Sequence, residues 1–123
     1  MSGIFRHMTK QRTGVDLATR IGRALASPIR VRALESLRER ELCLCELTEL
    51  FGLAPSTLSR HMSVLAEADL VHSRREGQWT HYSRPTSPDQ PTALVLGLVD
   101  LLADDDEQVL DDARRTAGLS CRV

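Results

Sequence analysis

This 123-residue sequence is poor in aromatic side chains, in cysteine and in long apolar runs, and each shortage excludes a class of protein. Only four residues are aromatic, so a core has to be built mainly from Leu, Val, Ile and Ala. No apolar run reaches the ~20 residues of a transmembrane helix, and the start, MSGIFRHMTKQRTG, lacks the apolar core of a signal peptide. Three cysteines do not suit a structural disulfide framework. We expect one cytoplasmic domain with no membrane partner.

The small net charge of −1 hides a gradient along the chain. Residues 1–40 carry nine basic and three acidic side chains, net +6, whereas residues 41–85 come to −2 and residues 86–123 to −5. A basic half beside an acidic half is typical of a protein with a polyanionic partner. Solvated helix faces explain the same gradient equally well, so charge alone does not decide the function.

Apolar residues at helical spacing and residues typical of helix ends predict five helices. Ser27 and Pro28 form a start signal, Gly52 a stop signal, and Pro55 stands at the first position of the next helix, although Ala54 is a poor N-cap. The predicted helices span about 15–25, 28–39, 45–51, 55–68 and 92–103. LVHSRR and QWTHYSR, separated by Glu76-Gly77, predict a β-hairpin.

Two helices joined by FGLAP and followed by a two-stranded ribbon are typical of a winged helix-turn-helix. We therefore predict a mainly α fold with a small β-hairpin, with a total of five helices and two strands. Its parts would be a flexible basic tail (1–14), the winged helix-turn-helix domain with flanking dimerisation helices (15–103), and an acidic C-terminal tail (104–123), solvated or frayed.

Apolar surface on the first helix and an apolar stripe on the last helix predict a homodimer. The small central module does not fully cover this surface, so burial between two subunits is its natural use. Burial of the same stripe within one chain is the alternative. The stripe consists of Leu94, Leu98, Leu101 and Leu102.

The fourth helix combines an apolar inner face with polar and basic residues that can reach DNA. Leu58, Met62 and Leu65 would face the core. Arg60 suits a guanine edge or a phosphate, and hydroxyls near a helix start suit phosphates. Ordinary surface exposure of the helix and of the hairpin is the competing interpretation. The residues predicted to contact DNA are Ser56, Thr57, Ser59, Arg60 and His61 on the helix and Arg74, Arg75 and Gln78 on the hairpin.

The stretch ELCLCELTELFGLAPSTLSRHMSVLAEADLVHSRREGQWTHYSR resembles the ArsR/SmtB family of metal- and metalloid-responsive repressors, and is most similar to its arsenite-responsive branch. The similarity covers about residues 15–100 and depends on the motifs LSRHM, REGQWTHY and ELCLCEL. It implies a homodimeric winged-helix repressor that leaves its double-stranded operator DNA when an ion binds. The first and last helices of the family form the dimer contact.

Thiolates select soft, thiophilic ions, so Cys43 and Cys45 are the predicted ligands of As(III) or Sb(III) as inducer, with no organic cofactor. We expect partial exposure, because Glu41 and Glu46 flank the two thiols, and a lowered thiol pKa at the start of the third helix. Burial as small apolar residues is the alternative. The family motif ELCxCDLC has a third cysteine where this chain has Thr48. The tail residue Cys121 is then the candidate third ligand, from the same subunit or its partner.

Other ions and other functions fit the residues less well. A structural zinc site needs four ligands, so the three cysteines would require His7 or another histidine. The zinc-responsive branch uses an Asp/His set on the last helix, which here offers Asp100, Asp104 and Asp105 but no histidine. A thiol-oxidation-sensing repressor is one alternative, with Cys121 bonded to Cys43 or Cys45. A small cysteine-based metal carrier or enzyme is the other. We predict that the chain is not an enzyme, because no nucleophile and base are paired in the sequence.

Overall fold

The computed structural model describes residues 13–119 and is mainly helical with a small antiparallel sheet. This confirms the predicted fold class. In the described part of the chain there are six helices and three strands, one more of each than predicted. In chain order they are α1 (Gly14–Leu25), α2 (Pro28–Ser36), β1 (Leu42–Cys43), α3 (Leu44–Phe51), α4 (Pro55–Glu67), β2 (His72–Glu76), β3 (Trp79–Ser83), α5 (Gln90–Ala103) and α6 (Glu107–Ala117).

The helix ends follow the predicted capping signals. The Ser27 hydroxyl accepts the backbone N–H of Arg30, which fixes the start of α2 next to the end of α1. Gly52 adopts a left-handed conformation, φ 67°, and ends α3. Ala54 starts α4 without a side-chain cap, as predicted. The short turn between Gly52 and Pro55 therefore sets the angle between α3 and α4.

The sheet has the strand order β1-β3-β2, with both pairings antiparallel. Strands β2 and β3 form the predicted hairpin, which turns at Gly77 and Gln78 rather than at Glu76 and Gly77. Strand β1 was not predicted, because two residues are too few to show alternation. It pairs Cys43 with His81, and so attaches the start of α3 to the wing.

The expectation of a frayed chain after Ala103 is wrong. The Asp106 side chain accepts the backbone N–H groups of Gln108 and Val109 and caps α6. The acidic run that suggested solvation thus supplies an N-cap, where negative charge is also favoured by the helix dipole. The helix packs against α2 and α3, with Asp112 and Thr116 buried.

The core lies between α1, α2, α3, α4 and the sheet, and α5 adds Leu96 and Val99 to it. The predicted inner face of α4 is confirmed, since Leu58, Met62 and Leu65 are at most 1% exposed. By contrast, the predicted stripe on α5 stays outside this core, with exposures of 66%, 55%, 75% and 72% for Leu94, Leu98, Leu101 and Leu102. None of the helices described between residues 13 and 119 combines the length and the apolar character that a membrane-spanning helix needs.

Candidate functional site

Helix α4 presents polar side chains on the face opposite its buried one. Ser56 and Arg60 are exposed, and Thr57 and Ser59 are half-buried beside them. The helix packs against α1, α2 and α3, so its inner residues hold these outer groups on a rigid element. A rigid helix with an exposed arginine and hydroxyl groups suits insertion into the major groove of DNA.

His61 on α4 has a structural partner. Its Nδ1 accepts a hydrogen bond from Arg30 Nη1 at 3.0 Å, and Arg30 also donates to the carbonyls of Ala24 and Arg23. Burial lowers the pKa of His61, and the charges of Arg30 and Arg60 lower it further. A neutral His61 therefore joins α4 to α2 and to the end of α1.

The two wing arginines point to opposite faces of the hairpin, since neighbouring residues on a strand alternate. Arg74 pairs with His81 across the sheet and donates to Glu41 at 2.6 Å and to Glu76 at 3.3 Å. The hydrogen bond from Arg74 lowers the pKa of Glu41. Arg74 is thus neutralised by carboxylates and ties the wing to the segment before β1.

Arg75 lies on the other face of the hairpin, which is shared with Tyr82 through the registers Ser73–Tyr82 and Arg75–Thr80. Burial raises the pKa of Tyr82, against the effects of a hydrogen bond with Ser59 and of the charge of Arg75. Arg75 donates to the neutral carbonyl of Gly77. Its positive charge therefore stands on the α4 side of the wing, and Gln78 is exposed at the hairpin turn.

Cys43 is both the last residue of β1 and the N-cap of α3. Its Sγ accepts the backbone N–H of Glu46 at 3.4 Å, and the Glu46 carboxylate accepts the N–H of Cys43 at 3.0 Å, which together form a capping box. Cys43 is 0% exposed. The expected partial exposure is therefore wrong for this residue, because Glu46 turns back to the helix end.

Burial also reverses the expected ionisation of Cys43. It raises the pKa of the thiol, against the lowering effect of the Glu46 N–H. The prediction of a lowered pKa at this helix start is therefore wrong for the folded state. A soft ion that needs the thiolate has to expose Cys43, and exposure changes the cap.

Cys45, in the first turn of α3, is half-buried and lines a pocket of about 280 Å³ between α3, the start of α4 and the wing. Thr48 and Trp79 line the same pocket. The Thr48 hydroxyl donates to the Leu44 carbonyl at 2.9 Å, so the residue where the family motif has its third thiol is hydrogen-bonded to its own helix. Cys43 is a free thiol. Cys121 and His7 lie outside the described residues.

The carboxylates of α5 are occupied by arginines. Arg84 holds Asp100 with two hydrogen bonds of 3.0 and 2.8 Å, and Arg38 lies 3.2 Å from Asp104. Among residues 13–119, no group of three or more His, Cys, Asp or Glu side chains is placed to hold a metal ion. This end of α5 therefore forms a network of ion pairs.

Two polar contacts of α6 could not be predicted from the sequence. Arg32 on α2 donates to both carboxylate oxygens of Asp112 on α6, at 2.8 and 2.9 Å, across 80 positions of sequence. Arg115 donates to the carbonyl of Leu50 at 2.7 Å. The first contact joins α6 to α2, and the second joins α6 to α3, the helix that carries Cys45.

Comparison with known proteins agrees with this geometry. Residues 27–73 match the family described as bacterial regulatory protein, arsR family. The arsenic resistance transcriptional regulator ArsR1 of Pseudomonas putida is 38% identical over 102 residues, which cover 81% of this chain and 77% of that protein. The nodulation protein NolR of Rhizobium meliloti is 36% identical over 86 residues, which cover 70% and 69%.

A solved structure gives the same result for the fold. The homodimeric winged helix-turn-helix DNA-binding domain of Mb0332 from Mycobacterium bovis superposes with a TM-score of 0.62 at 27% identity, covering 80% of this chain and 92% of that domain. These relatives are transcriptional regulators, so the prediction that the chain is not an enzyme is confirmed. The comparison does not support the alternative of a small cysteine-based enzyme or metal carrier.

Proposed function

Because the chain belongs to the ArsR family of bacterial transcriptional regulators, we propose that it is an arsenite- or antimonite-responsive repressor. It binds operator DNA in the cytoplasm as a homodimer and is released when As(III) or Sb(III) binds its cysteine thiolates. The observation that carries this proposal is the double role of Cys43. The sulfur that would bind the ion is also the N-cap of the first helix of the helix-turn-helix.

The DNA contact is supported by the positions of three groups. Arg60 and Ser56 are exposed on α4, and Arg75 stands on the side of the wing that faces Ser59. We expect α4 to enter the major groove, while the wing reaches the neighbouring phosphates. The other predicted contacts, Thr57, Ser59, His61, Arg74 and Gln78, rank below these because each is half-buried, structurally paired or at the turn.

The homodimer is supported by the exposed leucines of α5. Four large apolar side chains on one helix are costly to leave in water, and a second copy of the same helix is the natural cover in a closed dimer. Two copies of α4 would then read an inverted repeat with half-sites about one helical turn apart.

The inducer mechanism follows from the capping box. Coordination of Cys43 by a metalloid removes the acceptor of the Glu46 N–H, and it needs the sulfur to leave a fully buried position. Cys43 is buried in an extended conformation at the cap, whereas Cys45 lies on the first turn of α3 and lines the pocket beside the wing. Joint binding by the two thiolates therefore distorts the start of α3, and α3 packs directly against α4. A coupling of about 2.7 kcal/mol lowers operator affinity about a hundredfold.

The test is a titration of an operator fragment with repressor, with and without arsenite, under reducing conditions. We expect release of the native protein by arsenite. Cys43→Ser and Cys45→Ser should lose the response while keeping repression, because serine still caps α3 but is a poor ligand for soft ions. Cys121→Ser should weaken the response if this tail residue supplies the third sulfur. Operator affinity that arsenite leaves unchanged would contradict the sensing proposal but not the DNA contact.

A second candidate inducer is thiol oxidation, which the position of half-buried Cys45 at the pocket between α3 and the wing allows. In that case oxidation, not coordination, changes the start of α3. Release by peroxide with no release by arsenite would select this function. Release by arsenite in the fully reduced protein would select the metalloid.

A further inference from the structure

We propose that α6 braces the thiol-bearing helix α3 at both of its ends, and that Arg40 and Arg115 are the positioning residues of this brace. The inference rests on the proposed function, because it assigns to α6 control over how much inducer is needed. Helix α6 lies beyond the matched family segment of residues 27–73. Its contacts with α3 are polar and directional.

At the N-terminal end of α3, the brace reaches the capping box. Arg40 donates to the carbonyl of Thr116, in the last turn of α6, at 3.2 Å. The same guanidinium lies 3.3 Å from Glu46 Oε2 through both terminal nitrogens, while Glu46 Oε1 accepts the N–H of Cys43. One arginine therefore links the end of α6 to the carboxylate that fixes Cys43 at the start of α3.

At the C-terminal end of α3, the brace holds the last turn of the helix. Arg115 of α6 donates to the Leu50 carbonyl at 2.7 Å, one of the carbonyls that has no partner within a helix of this length. A cation at a helix C-terminus is also favoured by the helix dipole. The Arg32 guanidinium lies 5.0 Å from the centre of the Phe51 ring, at the last residue of α3.

A buried ion pair anchors the brace to the body of the domain. Asp112 of α6 is 2% exposed and receives two hydrogen bonds from Arg32 of α2, with a third from Gln108 at 3.1 Å. A buried, hydrogen-bonded ion pair of this kind fixes the relative position of its two helices, since loss of one partner leaves the other charge buried and unpaired. Because α6 is fixed to α2, its contacts hold α3 in place relative to α2.

The brace opposes the movement that the inducer requires. Withdrawal of Cys43 from its cap disturbs Glu46, and with it the bridge through Arg40 to α6. The contacts at Glu46 and Leu50 are made in the capped, DNA-competent form, so they stabilise that form against the released one. Removal of either contact lowers the cost of release, and less inducer then gives the same effect.

The test compares Arg115→Ala with Arg114→Ala, in the full-length reduced protein. Arg114 is the matched control, because it lies on the same helix, is 71% exposed and pairs only weakly with Asp111 at 3.5 Å. We expect the arsenite concentration for half-release from operator to fall about fivefold in Arg115→Ala, from the loss of the hydrogen bond to Leu50 and of the ion pair with Asp112 at 3.8 Å. Arg40→Gln should shift it in the same direction. Arg115→Lys, which keeps a donor and a charge, should restore most of the native value.

A second readout does not depend on arsenite. In the ion-free protein, amide hydrogen exchange in α3 should be faster in Arg115→Ala than in Arg114→Ala, because the last turn loses its external partner. Equal exchange and equal half-release in these two variants would overturn the brace. A native protein that arsenite does not release contradicts the proposed inducer instead, and the exchange comparison then decides the brace by itself.

Discussion

The Sγ atom of Cys43 and the backbone nitrogen of Glu46 lie 3.4 Å apart, and the Glu46 carboxylate returns a 3.0 Å hydrogen bond to the Cys43 N–H. A thiol thus stands where Ser, Thr, Asp or Asn usually caps a helix. Sulfur is the weaker acceptor but the better ligand for a soft ion. Under the proposed function, a cysteine at this cap gives up some helix stability for a sulfur that binds soft ions.

This relationship predicts how replacements of Cys43 rank in stability. Cys43→Ala removes the acceptor of the Glu46 N–H, whereas Cys43→Ser supplies a hydroxyl that caps at least as well. We expect the serine variant to be about 1 kcal/mol more stable than the alanine variant, as measured by urea unfolding of the reduced proteins. Equal stability of the two variants would show that the cap contributes nothing.

The two wing arginines should differ in their effect on DNA binding. Arg75→Ala removes a charge on the α4 side of the hairpin, while Arg74→Ala removes one that Glu41 and Glu76 already neutralise. We expect Arg75→Ala to weaken operator binding and to reduce the slope of log affinity against log salt by about 1. Arg74→Ala should leave that slope nearly unchanged. Binding isotherms over a range of salt concentrations measure both, and the reverse ranking would assign Arg74 as the phosphate contact.

Most of the fold could be predicted from the sequence because it depends on local signals. Ser27-Pro28, Gly52 and Pro55 mark helix ends by their own backbone chemistry, and the hairpin of LVHSRR and QWTHYSR around Glu76-Gly77 needs no distant partner. Helix α6 was missed because it has few apolar residues. Its stability depends on Asp112, whose partner Arg32 lies 80 positions away, and such a pairing cannot be seen in a linear pattern.

The positions of the two thiols could be predicted from the sequence, but the burial of Cys43 could not. The sequence placed Cys43 just outside α3 and Cys45 in its first turn, and both placements are confirmed. The burial of Cys43 could not be predicted, because it depends on β1 pairing with β3 and on Glu46 turning back as a capping side chain. The opposite orientations of Arg74 and Arg75 likewise depend on the strand register.

The exposed stripe of α5 predicts an oligomeric state that a single substitution changes. Leu98→Glu places a charge in the middle of the stripe, where dimer burial would strand it without a partner. We expect a monomer by sedimentation velocity, and a steep loss of operator affinity because each subunit carries one α4. Leu110→Glu on α6, at another exposed leucine, is the matched control and should remain dimeric. A dimeric Leu98→Glu variant would assign the contact to a different surface.

The ion-pair network between α2, β3 and α5 predicts a pH dependence of stability that centres on Glu35. Its side chain is 1% exposed, and burial raises its pKa to about 7, helped by a hydrogen bond with Asp100 and opposed by Arg38 and Arg84. The folded chain therefore keeps this proton over a range in which the unfolded chain, with the ordinary pKa of 4.5, has released it. The stability contributed by the protonated carboxyl is fully present below the unfolded pKa and is lost as pH rises through the folded one.

Glu35→Gln, which cannot ionise, should remove this loss. We expect the midpoint of thermal unfolding of Glu35→Gln to rise relative to the native protein between about pH 5 and about pH 8, since only the native protein has to ionise a buried carboxyl over that interval. Glu39→Gln, at the neighbouring exposed glutamate, should run parallel to the native protein throughout. If the unfolding midpoint of Glu35→Gln also stays parallel to that of the native protein, Arg38 and Arg84 keep the carboxylate charged in the folded state. The network is then a permanent set of ion pairs.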